Sequence, residues 1–252
     1  MAFTPLVLTS VRTFAGGYDL TGYSNKVELG LDCEEKDVTT FLPISDPNVG
    51  WKKCTAGLAS GTVKAAGLWD ADPTIVIDDI AFPTLGTIVP FSVYPVDAAE
   101  GSLGYFTQTL QKNYQFWGAV GDVAPWSIDE ESSWPVVRGQ SLEAPGTART
   151  TTGTGTAVQL GAVPTGKQIY AALHVLSIAG TATPTITVTV ESNVDNTFGA
   201  PTTRISYTAA TVVGGQILRT AGPITDTWWR ARWTISGSSP SFLFLVSAGI
   251  SI

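Results

Sequence analysis

The chain has 252 residues, a net charge of −7 and a pI near 4.6, with 44% hydrophobic and only 14% charged residues. That is enough apolar material for a core, which excludes general disorder, and the acidic balance excludes a tight grip on a phosphate backbone. A soluble domain usually carries about a quarter charged residues, so so uncharged a surface points to one that neighbours cover.

The opening MAFTPLVLTSVR lacks the basic start of a secretion signal, and the closing SFLFLVSAGISI is far shorter than the roughly 20 residues that span a bilayer. This predicts a chain folded in a cytoplasm, without a membrane partner. PLVLTSVRTF reads as the first strand. In SNKVELGLDC, Val27, Leu29, Leu31 and Cys33 alternate with Lys26, Glu28, Asp32 and Glu34 beyond them, which predicts a strand with one dry face and one wet, charged face. SGTVKAAGLW continues the alternation, with Val63, Ala65, Gly67 and Trp69 against Lys64, Ala66 and Leu68. Asp78 and Asp79 read as strand neighbours pointing to opposite faces, and Asp70 and Asp72 as turn residues. TIVPFSVYPV is a strand that Pro90 and Pro95 mark as an edge or a bend. GYFTQTLQKNYQFWG fits either a helix or a strand. WSIDEESSWPVVRGQSL reads as a closing strand with an acidic turn at Asp129, Glu130 and Glu131.

EAPGTARTTTGTGTA has no apolar period and divides the chain into units 1–142, a linker or domain edge at 143–157, and 158–252. Past it the strands are regular. Ile169, Ala171, Leu173 and Val175 share one face, and Ile186, Val188 and Val190 point inward with Thr185, Thr187, Thr189 and Glu191 outward. Ile205 and Tyr207 repeat the scheme. Trp229, Ala231, Trp233 and Ile235 oppose Trp228, Arg230, Arg232 and Thr234, and SFLFLVSAGI is apolar on both faces, as in a covered central strand. The expected fold is all-β, the second unit a β-sandwich of jelly-roll or Ig-like form.

Little chemistry is offered. A Ser-His-Asp triad needs a histidine base, and the single His174 sits in an apolar strand, on its less buried face or satisfied by hydrogen bonds. Cys33 and Cys54 read as small buried hydrophobes, with a disulfide open if their strands adjoin. Four zinc ligands are not at hand, no spacing matches a calcium loop, and GTGTA and VVGGQ lack a phosphate cradle. The expectation is no enzyme, no cofactor and no metal. Trp228, beside Arg230 and Arg232, is the best candidate contact patch, for a protein partner or for a glycan.

Within residues 6–142 lie YDLTGYSNKVEL, EEKDVTTF and GWKKCTAGLASGTVKAAGLWD, then GAVGDVAPW and PVVRG. These blocks resemble, in order, the tail-tube-like family of long-tailed bacteriophage virion proteins, at Asp19–Gly22, Asp37–Phe41, Trp51, Gly57, Leu58, Trp69, Gly121, Asp122, Arg138 and Gly139. Where the family has a short Gly/Ser turn after DVTTF, this chain has LPISDPNVG. The resemblance implies a β-sandwich or half-barrel that joins sister subunits edge to edge into stacked rings, in a virion assembled in the host cytoplasm. It implies that Lys26, Glu28, Asp32 and Glu34 line a wet lumen and that Asp37, Val38, Thr39, Thr40 and Phe41 form an inter-subunit loop. The partners it implies are copies of the chain and other virion proteins. A capsid decoration or minor capsid protein, and a carbohydrate-binding adhesion module, stay open as alternatives.

Overall fold

The structure is a computed structural model that describes residues 5–70 and 77–251. The chain is all-β apart from one short helix among these residues. Its strands are β1 (Arg12–Ala15), β2 (Tyr18–Asp19), β3 (Ser24–Asp37), β4 (Cys54–Leu68), β5 (Ile88–Tyr94), β6 (Leu103–Phe116), β7 (Pro125–Ser132) and β8 (Val137–Glu143) in the first half. The helix α1 (Ile77–Thr84) stands between β4 and β5. The second half holds β9 (Gly153–Thr154), β10 (Val158–Gln159), β11 (Gln168–Asn193), β12 (Thr202–Ser206), β13 (Gly214–Ala221) and β14 (Trp228–Ser251).

All 14 strands belong to one hydrogen-bonded network. In the first half the order runs β2-β1-β5-β6-β7-β4-β3, every pair antiparallel. β6 is long enough to pair along one side with β8 at its start and with β7 further on. β8 then pairs with β14, which carries the sheet into the second half. Residues 103–116, ambiguous by pattern, are thus a strand. Buried Phe106, Thr107, Thr109 and Gln111 reflect neighbours on both sides rather than one apolar face.

α1 corrects the strand reading of Asp78 and Asp79. Ile77, Ile80 and Ala81 recur at helical spacing and pack on Leu20, Val63, Ala65, Phe91, Trp126 and Ile128, while the two aspartates occupy the first turn, where the helix dipole favours acids. Asp72 lies outside the described residues. The expected acidic turn at Asp129–Glu131 is also corrected: these residues lie inside β7, between β4 and β6, and Glu130 is buried.

The two long strands β11 and β14 pair from Gln168↔Ser251 to Asn193↔Trp228 and form the wall between the halves. One face of β11, with Ile169, Ala171, Leu173 and Val175, enters the second-half core beside Trp229, Trp233, Phe242 and Phe244. The opposite face carries Tyr170 and Ala172 against Phe106 and Val137. Leu245 of β14 packs on Phe14 and Tyr94 in the same way. A strand covered on both faces is why 241–250 reads as apolar throughout. At this seam the backbones nearly touch: a Cβ on Gly139 would lie 2.2 Å from the Ala248 carbonyl oxygen. Gly139→Ala is expected to cost about 1–3 kcal/mol, read as a lower urea midpoint at unchanged m-value.

Of residues 143–157, expected as a linker or edge, Glu143 closes β8 and the rest run along the second half. Arg149 exchanges both backbone hydrogen bonds with Phe242, β9 pairs with β14, and the Trp233 indole donates to the Thr151 carbonyl at 2.9 Å.

Candidate functional site: the projecting hairpin and the Trp228 face

β3 and β4 form one hairpin of unequal character along its length. At its base, Thr62–Leu68 of β4 pairs with β7, so Val63 and Ala65 are buried. Beyond Gly61 no third strand joins the ribbon, and from Asp32 to Asp37 every residue is exposed. Among the described residues the outer edge of β3 pairs with no strand. A two-stranded ribbon is marginal in water by itself, and a bare strand edge invites another chain.

The alternation within β3 is real, but its dry side is dry only at the base. Val27 and Leu29 are half-buried, whereas Leu31 is 69% exposed and Cys33 is exposed. The expectation of a continuous dry face is therefore corrected: the strand outruns the core that would cover it. The cysteines are corrected with it. Both are exposed and free, because both lie on the uncovered part of the ribbon, and their register partners are Ala59 and Asp37 rather than each other. Cys54 Sγ lies 2.9 Å from Glu35, whose carboxylate pushes the thiol pKa up.

The predicted wet residues are solvent-facing and locally paired. Lys26 meets Glu28 at 2.8 Å, and that bond holds the Glu28 carboxyl below its ordinary range. Glu34 meets Lys36, and Asp32 accepts the Cys33 N–H at 2.8 Å. Exposed pairs of this kind contribute little stability, and their charges keep the bare ribbon soluble. In the predicted loop, Asp37 accepts the Thr39 N–H, while Val38 and Thr39 remain zipped to Lys53. Thr40 and Phe41 are free of the ribbon. The tip beyond carries Phe41 at 107% exposure, Ile44 at 93% and Trp51 at 75%, with Leu58 exposed on β4. Ile44 and Leu58 had no part in the sequence reading as contact residues. Large apolar side chains in a Pro/Asp/Asn-rich loop with no apolar period would have been the signal.

The second candidate patch differs from its expectation. Glu191, read as outward, is buried, and it is the acid that anchors the two arginines. Arg230 reaches it through Nε at 3.0 Å and Nη2 at 2.9 Å, and Arg232 through Nη1 at 3.2 Å. The Arg230 guanidinium also covers the Phe198 ring at 4.2 Å. Trp228 is half-buried, paired with Gln159 and Asn193. Arg230 is thus committed to internal partners, while Arg232 touches Glu191 with one nitrogen and stays half exposed. The patch lies on β14 and the hairpin beyond β7, so the two are joined only through β8, β6 and β7.

His174 is buried on the strand face opposite the second-half core. Nδ1 lies 2.8 Å from the Gly16 carbonyl, which can only accept, so the proton sits on Nδ1 and Nε2 accepts from the Ser92 hydroxyl at 2.8 Å. The ring is a strut between the halves: its two nitrogens are taken by Ser92 and the Gly16 carbonyl rather than by a carboxylate, and it is buried from solvent. Among the described residues no three His, Cys, Asp or Glu side chains gather as a metal centre, and no helix is long and apolar enough to cross a membrane.

No protein-family model and no curated protein matches the chain. Among solved structures it is similar to a chain of the virion of a native gene transfer agent particle, at 16% identity and a TM-score of 0.36, over 46% of this chain and 84% of that one. A chain from the tail of an empty gene transfer agent particle, of C6 symmetry, gives 17% identity and a TM-score of 0.37 over 48% and 85%. The SPP1 Dit protein, described as a paradigm of the hub adsorption apparatus in phages infecting Gram-positive bacteria, gives 10% identity and a TM-score of 0.36 over 97% and 100%.

Proposed function

We propose that this chain is a non-enzymatic virion structural protein, a tail-tube or tail-tube-like subunit that assembles with its own copies into rings. The observation that carries the reading is the outer part of the β3–β4 hairpin, from Asp32 to Asp37 exposed at every residue, with Phe41, Ile44 and Trp51 at its tip. Such a ribbon gains its stability from a neighbour. Three of the sequence blocks that resemble tail-tube-like proteins, YDLTGYSNKVEL, EEKDVTTF and GWKKCTAGLASGTVKAAGLWD, fall largely on the same segment.

In this reading residues 1–142 assemble and 158–252 form an outward unit, joined by 143–157. Lys26, Glu28, Asp32 and Glu34 face a wet, acidic lumen along which DNA slides without adhering. Asp37–Phe41 and the tip form the arm that reaches a sister subunit. Trp228, Arg230 and Arg232, braced by Glu191, serve as a fixed outer contact surface.

The test is a double substitution, Phe41→Ser with Trp51→Ser. Both side chains are solvent-facing, so the monomer is expected to keep its melting temperature within about 2 °C, since surface changes typically stay within about 0.5 kcal/mol. Light scattering and negative-stain micrographs should show rings or short tubes from the parent chain and monomers from the variant. A parent chain that stays monodisperse and monomeric at high concentration sinks the proposal.

A further inference from the structure

Where the first half passes into residues 144–157, three oxygens converge beside Gly155. A Cβ at that position would lie 2.5 Å from the Leu142 carbonyl oxygen, 3.2 Å from Glu143 Oε2 and 3.7 Å from Glu100 Oε1. Glycine leaves that space free of a side chain. Glu143 is completely buried. Its Oε1 accepts from Arg149 Nε at 2.6 Å, but its Oε2 receives no N–H or hydroxyl donor and faces the Glu100 carboxyl instead. A buried carboxylate oxygen without a donor is costly, so the fold leaves a charge-bearing atom that asks for a partner. The Glu100 carboxylate is its charged neighbour and is itself only 3.9 Å from Arg149 Nη2, too long for a good pair. One guanidinium therefore stands against two carboxylates.

We propose that Glu100, Glu143 and the Leu142 carbonyl hold a hard, oxygen-seeking cation, of the calcium or sodium class. The donor set is all oxygen, which suits such ions and disfavours zinc or copper. Glu100 is about a quarter exposed, which admits water to complete the coordination shell. The ion would clamp three segments: the turn carrying Glu100, the end of β8, and the strap that Arg149 and Gly155 bind to β14. Gly155 donates its N–H to the Ala231 carbonyl and Arg149 is bridged to Phe242, so the clamp would fix how the strap lies on the second half.

The experiment uses the full chain, stripped with chelator and held in choline chloride at pH 8. Calcium chloride or sodium chloride is added, and melting is followed alongside terbium luminescence excited through tryptophan. Trp233 is a nearby sensitiser, its ring 5.0 Å from Arg149 Cζ. The expected result is a rise in Tm of about 2–4 °C with one of the two cations, and sensitised terbium emission that this cation displaces. A response to calcium assigns the divalent class, and a response to sodium alone the monovalent one. Glu100→Gln, on the surface turn, should keep the fold and abolish both signals, and Glu143→Gln should do the same. If neither cation shifts the melt, or if Glu100→Gln leaves the terbium signal intact, the site is not there and the two carboxyls instead share a proton.

Discussion

Unfolding in urea at pH 5 and pH 8 is expected to show a protein weaker at the higher pH, with Glu130 contributing about 3 kcal/mol of the loss. Glu130 lies in β7 between β4 and β6, completely enclosed, beside a cavity of about 150 Å³ lined by Leu20, Ile77, Ile80 and Val89. Burial raises its pKa from 4.5 to about 7, and the hydroxyl of Thr109, which donates to it, offsets only part of that. The folded state thus holds the proton more tightly than the unfolded chain does. The stability from that proton is fully present below about pH 4.5 and is lost as pH rises through about 7. Glu130→Gln keeps an acceptor for Thr109 and cannot ionise, so it should remove this share of the alkaline loss and melt higher than the parent at pH 8. Glu143, also raised to about 7 by burial, accounts for a remaining slope in the same direction. An unchanged drop between pH 5 and pH 8 in Glu130→Gln would show that the carboxyl is ionised and compensated in the fold.

The second large effect lies on the acid side. Burial lowers the His174 pKa from 6.5 to about 4, against the opposing pull of the Gly16 carbonyl and of the Asp19 carboxylate. The neutral ring is favoured, so its contribution is present above about pH 6.5 and lost as pH falls through about 4, again about 3 kcal/mol. Protonation gives Nε2 a hydrogen where the Ser92 hydroxyl now donates, and it places a charge in the seam between the halves. His174→Gln should lose about 1–3 kcal/mol at pH 7, because the Gly16 carbonyl and Ser92 cannot both be served in the same geometry. Its stability should then fall less steeply between pH 6 and pH 4. A variant with the parent's acid limb would remove His174 from that role.

The all-β character, the second-half strands and most of their inward residues are legible in the chain, because alternation reports a face that is buried locally. Ile186, Val188, Val190, Trp229, Ala231 and Trp233 all lie where their spacing put them. The projecting hairpin was half legible. The charged side of β3 and the DVTTF segment could be picked out, but the exposure of Leu31, Cys33, Ile44 and Leu58 could not. Alternation says which side a residue faces and nothing about whether anything covers that side.

The local pattern by itself determined the acidity of the chain and the strand spacing of the second half. Tertiary structure alone decided that Glu130, Glu143, Glu191 and His174 are buried, that Asp78 and Asp79 open a helix, and that β3 and β4 outrun the core. The physical reason is one of range. Periodicity is set by a residue's immediate neighbours along the chain, whereas burial, charge pairing and pKa depend on strands that arrive from up to about 160 positions away, as Gly16 does for His174.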